Sequence, residues 1–122
     1  MMKSVLVIED DRFLSAMIQR ELTAEGYTAF QAFNGEEGLR WLKSNTADAI
    51  ILDIILPTMN GFDVLQALSL DPNLARIPVL VVSNLALDSD IERAKQLGVV
   101  DYFVKVKVTP GEIVNRIRTI IG

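Results

Sequence analysis

Four of the five short apolar runs in this chain end on a side chain suited to phosphoryl chemistry. Val5-Leu6-Val7-Ile8 leads into Glu9-Asp10-Asp11, and Ala49-Ile50-Ile51-Leu52 leads into Asp53. Val79-Leu80-Val81-Val82 ends at Ser83, and Tyr102-Phe103-Val104 ends at Lys105. The remaining run, near Thr28 to Phe33, has no such end. If the runs are parallel strands, all four ends meet at one edge of one sheet. Carboxylates crowded there repel one another and raise each other's pKa unless a cation joins them. Oxygen ligands alone, in a chain without histidine or cysteine, favour Mg²⁺ or Mn²⁺. Mg²⁺ takes one or two carboxylates and keeps positions open for water and phosphate. Asp10 and Asp53 therefore read as direct ligands, Glu9 as a ligand through water, and the backbone carbonyl of Ile55 as completing the shell. The other oxygen of Asp53 is then free to attack a phosphoryl group and form an aspartyl phosphate. Lys105 would offset the phosphate charge, and the Ser83 hydroxyl would donate to a phosphoryl oxygen. An ionised carboxylate needs no general base, so the absence of histidine is no obstacle.

Taken singly, each residue has an ordinary structural use. Acids after a strand commonly cap the next helix, and Asp11 is assigned that role here. A serine at a strand end is usually a turn residue, and Lys105, like Lys107, could be a solvated lysine. The coincidence of all of them at one edge carries the functional reading.

The elements that must position them are legible. Leu14, Met17, Ile18 and Leu22 recur at helical spacing and Gly26 stops that helix. Asn34 caps a second helix with Leu39 and Leu42 on its buried face, although Gly38 within it costs roughly 1 kcal/mol against Ala. Pro57, Asn60 and Gly61 punctuate the loop before a third helix from about Phe62, and Pro78 marks entry to the fourth strand. Ser89 with Glu92 reads as a capping box for a fourth helix that Gly98 ends. Thr109-Pro110-Gly111-Glu112 opens the last helix, which buries Ile113, Val114, Ile117, Ile120 and Ile121. The result is a single α/β domain over residues 1–122, a (βα)₅ fold whose continuous apolar strands imply a parallel sheet covered by helices on both faces. Such sheets bind ligands beyond the carboxyl ends of their strands, where strand order reverses. Fold precedent, rather than periodicity, supplies the strand order 2-1-3-4-5.

Composition narrows the function classes. The 122 residues are 50% hydrophobic and 23% charged, with a net charge of −4. That size suits one self-sufficient core, and the acidity argues against a general nucleic-acid surface. No apolar run reaches the roughly 20 residues of a membrane span. Met1-Met2-Lys3-Ser4 enters a strand pattern at once, unlike a signal peptide. A cytoplasmic location is expected, and the lack of cysteine is compatible with it.

At these residues the chain resembles a response-regulator receiver domain, from about Lys3 to Ile121. The resemblance rests on Val-Ile-Glu-Asp-Asp at 7–11, Ile-Leu-Asp-Ile-Ile-Leu-Pro-Thr-Met-Asn-Gly at 51–61, Val-Val-Ser at 81–83 and Gly-Val-Val-Asp-Tyr-Phe-Val-Lys at 98–105. It implies that Asp53 accepts phosphate from a histidine of a sensor kinase or phosphotransfer protein, with Glu9 and Asp10 holding Mg²⁺. It also implies that Ser83 and Lys105 sense the phosphate and that Tyr102 is an aromatic switch swinging inward with Ser83. The ordinary use of Tyr102 is as a strand aromatic packed on the last helix. By the same resemblance the protein is a signalling switch rather than an enzyme acting on other molecules.

Two departures from the family pattern have consequences. Val106 stands where the family usually has a proline in a cis bond, and a cis non-proline bond costs ~2.5–4 kcal/mol. A trans bond and an altered Lys105 loop are expected; family members with Lys-x-x-x-Thr-Pro, as in Lys105 to Pro110, do occur. Ile55 and Leu85 occupy positions that influence water attack on the acyl phosphate in the family. Neither can orient a water, so slow dephosphorylation is expected, with Asn84 narrowing the entrance. A pseudo-receiver that never carries phosphate is the main rival. A flavodoxin-like binder would want a first loop rich in Ser, Thr and Gly, and an aspartate phosphatase would want Asp-x-Asp after the first strand. Glu92, Arg93, Lys95, Arg116 and Arg118, beside Tyr102, suit either a phosphorylation-dependent homodimer through the fourth helix, fifth strand and fifth helix or a solvated face. With no helix-turn-helix after Gly122, direct DNA binding is not expected of this chain.

Overall fold

A computed structural model describes residues 2–122; Met1, which the sequence reading placed on the approach to the first strand, lies outside the described residues. Strands β1 (Ser4–Ile8), β2 (Thr28–Ala32), β3 (Ala49–Leu52), β4 (Val79–Ser83) and β5 (Asp101–Val104) alternate with helices α1 (Arg12–Ala24), α2 (Gly35–Leu42), α3 (Gly61–Leu70), α4 (Asp88–Gln96) and α5 (Pro110–Ile121). All strand pairs are parallel and the order is β2-β1-β3-β4-β5. The expected order holds.

Successive strand residues point to opposite faces, and each face carries its own apolar layer. Leu6, Ile8, Ile50, Leu52, Val79 and Val81 pack with Val64, Leu65, Leu68 and Ala94 of α3 and α4. Val5, Val7, Ala49, Ile51, Leu80 and Val82 pack with Ile18 and Leu22 of α1 and with Ile113, Val114 and Ile117 of α5. Covering both faces explains why these strands read as unbroken apolar runs.

Three of the four caps read from sequence are formed, and Asn60, read only as loop punctuation, caps the third helix as well. Asp11 accepts hydrogen bonds from the Phe13 and Leu14 amides, and Asn34 accepts one from the Glu37 amide. Asn60 with Asp63 and Thr109 with Glu112 form reciprocal capping boxes. The fourth helix differs from expectation. It starts at Asp88, with Leu87 at the cap and no side-chain cap bond, so Ser89 lies within the first turn. Asp88 and Asp90 in that turn complement the positive helix end instead.

Register sets the height of each functional side chain. Ile8 is level with Leu52, and the Asp53 amide donates to the Ile8 carbonyl, so Glu9 and Asp53 emerge side by side. Leu52 is level with Val81 and Ser83 with Val104. Ser83 thus sits one residue beyond the level of Asp53, and Lys105 one beyond that. Among the described residues no peptide bond is cis, so the Lys105–Val106 bond is trans as expected, and Lys105–Lys107 form a single 3₁₀ turn.

Gly61 holds the Asp53 backbone closely. A Cβ on Gly61 would lie 2.6 Å from both the Asp53 carbonyl oxygen and the Ile54 Cα, and the Gly61 amide donates to the Ile54 carbonyl at 2.8 Å. These obstacles are backbone and cannot rotate away. Gly61→Ala is expected to destabilise the protein by about 1–3 kcal/mol, whereas Gly111→Ala, with its nearest atom 3.8 Å away, should be neutral or slightly stabilising. Urea midpoints of the two variants check this; equal midpoints would contradict the close approach.

Candidate functional site

Glu9, Asp10 and Asp53 converge at the carboxyl edge of the sheet, each offering a carboxylate oxygen within 4.8 Å of the others. Glu9 and Asp53 are each 3% exposed, while Asp10 faces solvent. Two buried carboxylates side by side need compensation, and Lys105 supplies it. Its ammonium lies 2.6 Å from Asp53 Oδ2 and 2.8 Å from Glu9 Oε1. The remaining oxygens take backbone donors: Ile55 N–H donates to Asp53 Oδ1 at 3.0 Å, and Asp11 N–H donates to Glu9 Oε2 at 3.1 Å. Sequence reasoning assigned Lys105 to the phosphate; the structure shows it also as the cluster's own counter-ion. The apolar Val104 and Val106 on either side of it gave no sign of this pairing.

The electrostatics follow. Burial pushes Glu9 up to about 7; the Lys105 hydrogen bond pulls the other way, and the charge of Asp53 adds to the rise. Burial works against the Lys105 ammonium, but its hydrogen bonds to Asp53 and Glu9 win and hold its pKa above the ordinary value. The donor set suits a hard divalent ion. It is all oxygen, carries more negative charge than one ammonium balances, and keeps exposed Asp10 on the open side.

Ser83 is fully buried at the end of β4, and its Oγ accepts the Leu85 amide at 3.2 Å. Tyr102 is 9% exposed and turned inward, with its hydroxyl donating to the Leu85 carbonyl. Burial, then the Asp90 carboxylate, raise its pKa. Its ring belongs to the face covered by α3 and α4 with Ala94 and Leu97, not to the face of the last helix. Ile55 exposes 54% of its surface, whereas Leu85 is half-buried against the α3–α4 layer. Asn84, read from sequence as narrowing the entrance, accepts a hydrogen bond from the Val106 amide at 3.0 Å.

Three cations proposed for a partner face are already engaged. Arg116 pairs with Asp101 at 3.0 Å, Arg118 with Glu25 at 2.8 Å, and Arg93 lies 4.1 Å over the Phe62 ring. Glu92 and Lys95 remain exposed.

Against known proteins, a family model described as the response regulator receiver domain matches residues 5–118. The chain is 36% identical over 117 residues to the uncharacterized transcriptional regulatory protein YcbL of Bacillus subtilis, covering 95% of this chain but only 50% of that protein. It is 32% identical over 122 residues to the polar-differentiation response regulator DivK of Brucella anthropi, covering 100% of this chain and 98% of the relative. The Vibrio cholerae chemotaxis protein CheY4 shares the fold, with a TM-score of 0.90 at 24% identity over 98% of both chains. No described helix is long and apolar enough to cross a membrane.

Removing the counter-ion is expected to be costly. In metal-free buffer Lys105→Met should lose roughly 2–3 kcal/mol, because two buried carboxylates are left uncompensated and one can respond by taking a proton. Millimolar Mg²⁺ should restore more stability to this variant than to the wild type. Thermal unfolding with EDTA and with Mg²⁺ checks both; an unchanged metal-free midpoint would refute the counter-ion role.

The raised Glu9 value gives a pH dependence of definite sign. A carboxyl that holds its proton more tightly folded than unfolded stabilises the fold below about 4.5, and that contribution is lost as pH rises toward about 7. Metal-free wild type should therefore lose on the order of 3 kcal/mol between about pH 4.5 and pH 7.5 through this group. Glu9→Gln should flatten the profile. Urea titrations across that range test it, and parallel profiles would rule it out.

Proposed function

The chain belongs to the response regulator receiver domain family, and from that membership we propose that Asp53 is the phospho-acceptor of a two-component phosphorelay. The observation that carries the reading is the joining of Asp53, Glu9 and Lys105 by contacts of 2.6 and 2.8 Å, with Asp10 alongside. Glu9, Asp10, Asp53 and the carbonyl of Ile55 would hold Mg²⁺, or Mn²⁺ in its place. When bound, the ion neutralises charge on the phosphoryl oxygens and orients them.

The chain's own residues supply the rest. A carboxylate oxygen of Asp53 attacks phosphorus, the bond from phosphorus to the partner's imidazole nitrogen breaks, and the imidazole leaves with that electron pair. Lys105 already lies at the nucleophile and turns to the new phosphoryl oxygens with little displacement. Ser83 Oγ, which accepts the Leu85 amide in this state, carries a proton to donate to the phosphoryl group. The partner is a sensor histidine kinase or a histidine phosphotransfer protein, and the setting is cytoplasmic. Phosphorylation switches the surface of α4, β5 and α5 through Ser83 and Tyr102. The internal pairing of Arg93, Arg116 and Arg118 leaves Glu92 and Lys95 as the free charges of a homodimer face.

Incubation with acetyl phosphate and Mg²⁺, read by intact-protein mass spectrometry, tests the acceptor. One phosphoryl group is expected on the wild type, and none on Asp53→Ala or with EDTA. Asp53→Ala should stay folded, since Lys105 keeps Glu9 as its partner. Failure with both acetyl phosphate and a phosphorylated phosphotransfer protein would make the chain a pseudo-receiver. The same assay follows phosphate loss: exposed Ile55 offers no polar atom, so Ile55→Asn should shorten the phosphoprotein lifetime severalfold. Leu85 helps form the core and is not a clean second site for that comparison.

A further inference from the structure

The β4–β5 ladder ends at the pair Ser83 and Val104, one residue short of Lys105. Beyond that point the chain makes one 3₁₀ turn over Lys105–Lys107, whose closing bond, from Val108 N–H to the Lys105 carbonyl, is 3.5 Å long. That is at the outer limit of a useful hydrogen bond. The turn has no side-chain cap, Val106 is 78% exposed, and Lys107 faces solvent. Little in the turn itself fixes the backbone from which Lys105 reaches inward.

Asn84 provides the missing tie. It directly follows Ser83, and its Oδ1 accepts the Val106 amide at 3.0 Å across 22 residues of sequence. This side-chain bond extends the β4–β5 ladder by one step and satisfies an amide that a short turn otherwise leaves free. Val106 suits the role because it has an N–H to give.

We propose that Asn84 is a positioning residue for Lys105, holding the peptide that follows it so that the ammonium reaches Glu9 and Asp53. The proposal deepens the reading of Asp53 as phospho-acceptor and rests on it for its kinetic consequence. Asn84 does not touch the reacting atoms. It acts through the Lys105 backbone, and it ties that backbone to the residue next to Ser83.

Two measurements on the full chain test it. Phosphorylation rates with acetyl phosphate at saturating Mg²⁺ are compared in wild type, Asn84→Ala, Lys105→Ala and the double variant. Asn84→Ala is expected to slow the reaction roughly fivefold, the factor for one hydrogen bond of ordinary net strength, and to have no effect once Lys105 is gone. Equal slowing in both backgrounds would overturn the proposal. Hydrogen exchange of the Val106 amide is then measured on unphosphorylated protein. It should quicken severalfold in Asn84→Ala and return to the wild-type rate in Asn84→Asp, which keeps the acceptor oxygen. Unchanged exchange in Asn84→Ala would overturn the proposal whether or not any variant takes phosphate. A wild type that takes no phosphate counts against the acceptor reading, and the exchange measurement still decides the role of Asn84.

Discussion

Two buried carboxylates that emerge side by side define this molecule's problem, and one ammonium between them is its resting answer. Lys105 lies 2.8 Å from Glu9 and 2.6 Å from Asp53. The arrangement is tolerable because each carboxylate also accepts a backbone amide, from Asp11 or Ile55. It is incomplete because Asp10 adds further negative charge at the open side. A site left negative after internal pairing attracts a divalent cation, and a cation there permits the approach of a phosphate that the carboxylates alone would repel. The proposed acceptor role, with its metal and its phosphate, thus rests on one electrostatic imbalance.

That imbalance is held in place by the sheet. Parallel register puts the ends of β1 and β3 level, and the two apolar layers leave the strands no freedom to slip without exposing a whole set of side chains. At the edge itself the tolerance is tighter. Gly61 lets the start of α3 close onto the Asp53 carbonyl, fixing Asp53 from behind, while the Asp11 cap starts α1 immediately after the acid pair. Helix starts and strand ends share residues here, so little slack separates scaffold from site.

What could be read from sequence follows the same physics. Strand identity, helix order, three of the four expected caps and the acids at the strand ends are local patterns or follow from fold precedent, and they appear as expected. Three features were not read correctly, two of them because they depend on contacts between distant segments. Gly38 looked like a cost inside α2, yet a Cβ there would lie 2.6 Å from Ile8 Cδ1, so the glycine is what lets α2 pack on β1. Ser89 looked like a cap because Ser-x-x-Glu is a cap pattern, but the cap is Leu87, two residues earlier, and the helix dipole is met by aspartates. Asn84 looked like an obstruction because nothing local shows that Val106, 22 residues on, has a free amide within its reach.

The loop after β4 joins these features into a path toward the surface. Leu85 uses both ends of its backbone: its N–H goes to the Ser83 hydroxyl, and its carbonyl takes the Tyr102 hydroxyl. Asn84, next in the chain to both Ser83 and Leu85, holds the turn of Lys105. A Ser83 hydroxyl that rotates toward a phosphoryl oxygen gives up the Leu85 amide. The segment Asn84–Leu85 then has reason to shift, because a buried donor seeks a new partner. Tyr102, anchored to the Leu85 carbonyl, must follow that carbonyl or release it. A bond change of this size is small against the stability of the fold. It is large enough to bias two arrangements of one loop, which is all that a switch between two surfaces requires.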